Sequence, residues 1–115
     1  MGRYAFFNTG FEYKFGFGIQ SSMDMTNFFG TSYYGKDVNS LVHVWKKTDD
    51  KLILERLNKY PYEVIDITKY KKSINGTYKL QHDLEKICDN LEYILGNIIY
   101  HQLQYTDELR VNFEL

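Results

Sequence analysis

Six apolar residues, Leu80, Leu84, Ile87, Leu91, Ile94 and Ile98, step along the chain by four, three, four, three and four. An α-helix turns once every 3.6 residues, so this spacing lays all six along one stripe. It predicts an amphipathic helix from about Thr77, its expected N-cap, to about Leu103. Cys88, Leu95 and Ile99 widen the stripe, which puts the helix inside the core. Cys88 then sits mid-helix and packs as a small hydrophobe. Gly96 weakens the helix by roughly 1 kcal/mol relative to Ala, and close approach of a neighbouring element would account for it.

Such a helix needs a flat partner to cover its stripe. In FEYKFGFGIQ, residues 11–20, Phe11, Tyr13, Phe15, Phe17 and Ile19 alternate with Glu12, Lys14, Gly16, Gly18 and Gln20. Period two over this length is a strand with one buried face. Tyr4 to Phe7 forms the strand before it. Asn8-Thr9-Gly10 fits a three-residue hairpin turn whose glycine takes the left-handed position. Leu41 to Lys46 (LVHVWK) reads as a third strand. Leu109, Val111, Phe113 and Leu115, alternating with Arg110, Asn112 and Glu114, read as a terminal one.

The intervening segments read more briefly. Met23 to Phe29 is a short helix or turn, and Thr31 to Ser40 a polar, Tyr-rich loop. Asp49 or Asp50 caps a helix over Lys51 to Tyr60, stopped by Pro61. Glu63 to Ile67 is extended, and Lys69 to Ile74 makes one helical turn closed by Asn75-Gly76. The expected architecture is one α+β domain over residues 1–115. An N-terminal β-hairpin in a small antiparallel sheet packs on one long C-terminal helix, and the chain ends in a β-strand.

Composition narrows the function classes. With 14 basic and 15 acidic side chains and no run longer than two lysines, a phosphate-binding patch is not indicated, which disfavours nucleic acid. Cys88 is the one cysteine, so no intramolecular disulfide can form. With no signal peptide and no apolar run near eighteen residues, the expectation is no membrane partner, no secretion and a soluble, reducing compartment. The aromatic share of 17% is high, and Tyr (11) and Phe (8) supply nearly all of it. Part of that bias would follow from an AT-rich genome. Aromatic surface left outside one small core would favour a homodimer or larger assembly, through a strand edge or through Ser32-Tyr33-Tyr34.

Catalytic and metal motifs are sparse. His43, His82 and His101 show no metal-ligand spacing, and no cofactor is expected. Continued past Ile98, the helical seam reaches His101 and Tyr105. Either the helix end emerges there into water, or it faces a polar pocket. Gly16 and Gly18 leave a bare strip on the strand, which a neighbouring segment, a sharp bend or a ligand would explain. GFGI at 16–19 is a near-miss to an RNA-recognition core, with Lys14 displaced by Phe15 and Ile19 in an aromatic's place. Neither does it make a dinucleotide loop, lacking the later glycine and the strand-to-helix junction.

RYAFFNTGFEYKFGFGIQ, from Arg3 to Gln20, with Ser21-Ser22-Met23-Asp24 after it, resembles a family of small proteins from giant (large DNA) viruses, Mimivirus/Megavirus-like. The likeness lies in Phe7 through Phe15, Phe17 through Ser22, Trp45, and Tyr100 through Tyr105. The resemblance implies a viral protein in the host cytoplasm and nothing about mechanism. The leading expectation is a non-catalytic protein that binds another protein or itself. The alternative is a small-ligand-binding or hydrolytic domain, its pocket lying between the first hairpin and the end of the long helix. Its candidate residues are Glu12, Lys14, Gln20, Asp24, His101 and Gln104.

Overall fold

The Phe7 amide donates to the Phe11 carbonyl and the Gly10 amide to the Phe7 carbonyl, each at 2.9 Å. Gly10 has φ +98°, a left-handed value that glycine adopts without the penalty a Cβ would bring. The expected hairpin turn is therefore present. It appears in a computed structural model of the protein that describes residues 3–15, 41–63 and 65–114.

Over those residues the chain forms a four-stranded antiparallel sheet and three α-helices. The strands are β1 (Arg3–Phe7), β2 (Glu12–Phe15), β3 (Leu41–Lys46) and β4 (Glu108–Glu114), in the spatial order β2-β1-β4-β3. The first and last strands thus pair at the centre, with Phe7 opposite Val111, and β3 flanks β4 with Trp45 opposite Leu109. Alternation fixes the faces. Phe11, Tyr13, Leu109 and Val111 are buried, whereas Glu12, Lys14 and Arg110 are exposed.

The helices are α1 (Asp50–Leu57), α2 (Ile74–Ile87) and α3 (Leu91–Gln102). α3 packs against both α1 and α2. Every residue from Tyr93 to Ile99 is buried, as expected of a helix enclosed on most sides. Its Ile94, Ile98 and Ile99 join Ile53, Leu80, Leu84, Trp45 and Val111 in one core.

The single long C-terminal helix is not what the chain builds. α2 ends at Ile87, Cys88 is extended (φ −161°, ψ 169°), and Asn90 caps α3 by accepting from the Tyr93 amide at 3.0 Å. Asparagine is among the best N-caps, so the second helix starts there although the apolar stepping continues across the break. Cys88 is accordingly half-buried at a helix end, Leu91 is half-buried, and Ile87 is 37% exposed. α2 also begins earlier than expected. Ser73 Oγ accepts from the Gly76 amide at 3.2 Å, making Ser73 the N-cap in place of Thr77. Asn75-Gly76 lies in that first turn, and the isolated turn before it is a 3-10 turn at Ile67–Lys69. α1 stops at Leu57, short of Tyr60. The readings at Phe17, Ile19, Met23–Phe29, Thr31–Ser40 and the glycines 16 and 18 lie outside the described residues.

Candidate functional site

Tyr93, Asn97 and His101 follow one another at intervals of four along α3, which stacks them on one helical face. The outer two hold the segment from residue 63 to 71. The Tyr93 hydroxyl donates to the Glu63 carbonyl at 3.0 Å. His101 Nε2 lies 2.9 Å from the Lys71 carbonyl. A carbonyl can only accept, so Nε2 carries the proton.

His101 is 1% exposed. Burial lowers its pKa below the ordinary histidine value, against the opposing pull of the Lys71 and Tyr70 backbone. The neutral ring therefore offers Nδ1 as an acceptor, and the Thr77 hydroxyl, 2.8 Å away, donates to it. With that proton committed, the Tyr105 hydroxyl donates to Thr77 Oγ1 at 3.1 Å. Thr77 Oγ1 is also 3.1 Å from the Ser73 carbonyl, where its proton would go if His101 became charged. Lys71 can come this close to α2 because residue 76 is glycine. A Cβ there would lie 1.9 Å from the Lys71 oxygen.

Between these anchor points Ile65, Ile67 and Tyr70 pack against the core. A cleft of about 360 Å³ opens there, with Leu54 and Leu57 of α1 on one side, Ile65 and Ile67 on another, and Tyr93 and Tyr100 of α3 beneath. Asn97 also lines it and is only 5% exposed. Asn97 Nδ2 donates to the Tyr93 carbonyl one turn earlier at 2.9 Å. Its Oδ1 accepts from no described residue. At the rim, Asp66 Oδ1 accepts from the Thr68 amide (3.0 Å) and hydroxyl (2.5 Å). The Thr68 hydroxyl and amide hold the Asp66 carboxyl below the usual carboxylate range, with Lys69 adding a smaller pull. Burial raises the pKa of both Tyr93 and Tyr100, so their phenols stay protonated near neutrality.

A second, shallower depression of about 280 Å³ lies beside it, lined by Arg56, Lys59, Tyr60 and Glu92. The Tyr60 hydroxyl donates to Glu92 there, and burial together with that carboxylate raises the Tyr60 pKa.

The residues proposed from sequence fall in different places. Glu12 and Lys14 are exposed on the outward face of the sheet, with Lys14 Nζ 5.9 Å from the Tyr4 ring centroid. His101 points into the interior. Gln104 is half-buried, its Nε2 donating to the Tyr100 carbonyl at 3.1 Å. Gln20 and Asp24 lie outside the described residues. The first hairpin and the end of α3 do meet, through Thr9 Oγ1 donating to Gln102 Oε1 at 2.6 Å. Sequence reasoning missed Tyr93 and Asn97, whose signal was their spacing of four from each other and from His101.

Among the described residues no group of His, Cys, Asp and Glu could hold a metal ion, and no helix is long and apolar enough to cross a membrane. No family model, curated protein or solved structure matches the chain.

Proposed function

We propose that the protein acts by non-covalent binding of a small molecule in the cleft between α1, α3 and the segment at 65–68. The observation that carries this reading is Asn97. Its side chain is 5% exposed, its Oδ1 has no described partner and stays open to the cleft as an acceptor, and it lines a mostly apolar cleft whose volume falls in the range of small-ligand sites. The cleft offers one exposed carboxylate and two protonated phenols, a set suited to holding a ligand more than to transferring protons. A fragment screen by NMR tests this, with labelled leucine and isoleucine methyls. Bound fragments should shift Leu57, Ile65 and Ile67 together, and hits that scatter or avoid these methyls would remove the reading.

A second reading, contact with another protein or a second copy of the chain, keeps one observation in its favour. Leu52 is 51% exposed and Ile87 37% exposed, apolar surface that a partner would cover. Sedimentation showing a dimer would support it, and a 13.7 kDa monomer at micromolar concentration would count against it. From the sequence resemblance alone comes the further proposal of a viral protein working in the host cytoplasm.

A further inference from the structure

The kind of molecule that suits the cleft, if the cleft is the binding site, follows from which polar atoms remain free in it. Asn97 Nδ2 must be the atom that faces the Tyr93 carbonyl, because two acceptors cannot pair. The free atom is therefore Oδ1, an acceptor. Asp66 Oδ1 is occupied twice by Thr68, and Oδ2 has no described partner. It too is an acceptor, and it carries charge. The Thr68 hydroxyl proton is already committed to Asp66. Asn58, at the end of α1, is exposed and adds one amide that can donate or accept, and the Tyr100 hydroxyl, with no described partner, can do either as well. Among the described residues no lysine or arginine lines the cleft, although Lys69 lies close enough to Asp66 to act on its charge.

The cleft thus asks for hydrogen-bond donors and positive charge on an apolar body. A carboxylate or phosphate ligand would meet two bare acceptors, an arrangement that repels it. A neutral hydrocarbon would fill the walls and leave Asn97 Oδ1 without a donor. An ammonium head brings donors for Asn97 Oδ1 and a countercharge for Asp66, and the rings of Tyr93 and Tyr100 in the wall favour a cation nearby.

We infer that this cleft takes a small apolar amine, a protonated nitrogen on an aromatic or short alkyl body. Titration of the full chain with phenethylamine, 2-phenylethanol and 3-phenylpropionate, read from the Leu57 and Ile67 methyl shifts, tests it. The three share a body and differ in the charge of the head. The amine should bind about tenfold tighter than the acid and more tightly than the alcohol, a preference that added salt weakens. Asp66→Asn, a change at an exposed site, should bring the amine down to the level of the alcohol while leaving the alcohol unchanged. Acid binding as tight as amine binding, or an Asp66→Asn variant that binds the amine like wild type, would overturn the amine assignment and leave the cleft standing. Failure of all three to shift the cleft methyls, when other fragments do, would overturn it as well. If no fragment of any kind reaches those methyls, the cleft reading itself falls.

Discussion

Thr77 Oγ1 and His101 Nδ1 lie 2.8 Å apart across 24 residues of sequence. This contact joins the first turn of α2 to the last turn of α3, inside the core. Thr77→Val keeps the shape and removes the donor, leaving a buried ring nitrogen unpaired. It should cost about 1–3 kcal/mol. Urea melts in which the valine variant matches wild type would show that the ring nitrogen finds another donor.

Stability should fall as the medium is acidified through the histidine range. Burial lowers the folded pKa of His101, so the unfolded chain takes up a proton first as pH drops. The stability linked to the neutral ring is complete above the ordinary histidine value, about 6.5. It is lost progressively from there down to the lowered folded value. Urea midpoints measured from about pH 7.5 down to pH 5 should decline, and His101→Gln should flatten that decline. An unchanged slope in the variant would assign the effect to another group.

Two glycines should respond differently to alanine. At Gly76 a Cβ would sit 1.9 Å from the Lys71 carbonyl oxygen, which is backbone and cannot rotate away. Gly76→Ala should therefore cost about 3 kcal/mol or more, since the segment that His101 anchors must move. At Gly10 a Cβ would meet only the tip of Ile74, at 3.3 Å, but φ is +98°. Backbone strain alone makes Gly10→Ala cost about 1–2 kcal/mol. Chemical denaturation giving the reverse order would contradict this account of the α2 start.

The break between α2 and α3 depends on a single cap. Asn90→Ala removes the acceptor for the Tyr93 amide and should cost about 0.5–2 kcal/mol, while Asn90→Asp should retain most of the stability. Equal losses in both variants would mean that packing, not the cap, sets the break.

That break explains what could and could not be read in advance. The strands and hairpin were legible because period-two burial and a left-handed glycine are local signals. The helical stepping is local too, but Ile87 and Leu91 keep it in phase across residues 88–90, so only Asn90 marked the end. On one straight helix, Thr77 and His101 would lie about 36 Å apart at 1.5 Å per residue. Folding the helix back brings them together and turns two polar seam ends into one buried network. The cleft was harder still. Tyr93 and His101 bind backbone carbonyls of Glu63 and Lys71, and no side-chain pattern announces which segment will offer them. Glu12 and Lys14 share the strand face opposite the buried Phe11 and Tyr13, as the alternation predicts.

Asn97 is 5% exposed, and its Oδ1 has no described partner in the apolar wall of the cleft. Leucine is close to asparagine in shape and would close that wall. The Tyr93 carbonyl loses only a side-chain donor, because the helix ladder still serves it. The decisive measurement is phenethylamine affinity and melting temperature on Asn97→Leu together. The account predicts a melting temperature equal to or above wild type, with affinity reduced about tenfold or more. A variant that binds the amine as wild type does, or one that loses stability while keeping its affinity, would show that Asn97 serves the fold and not a ligand.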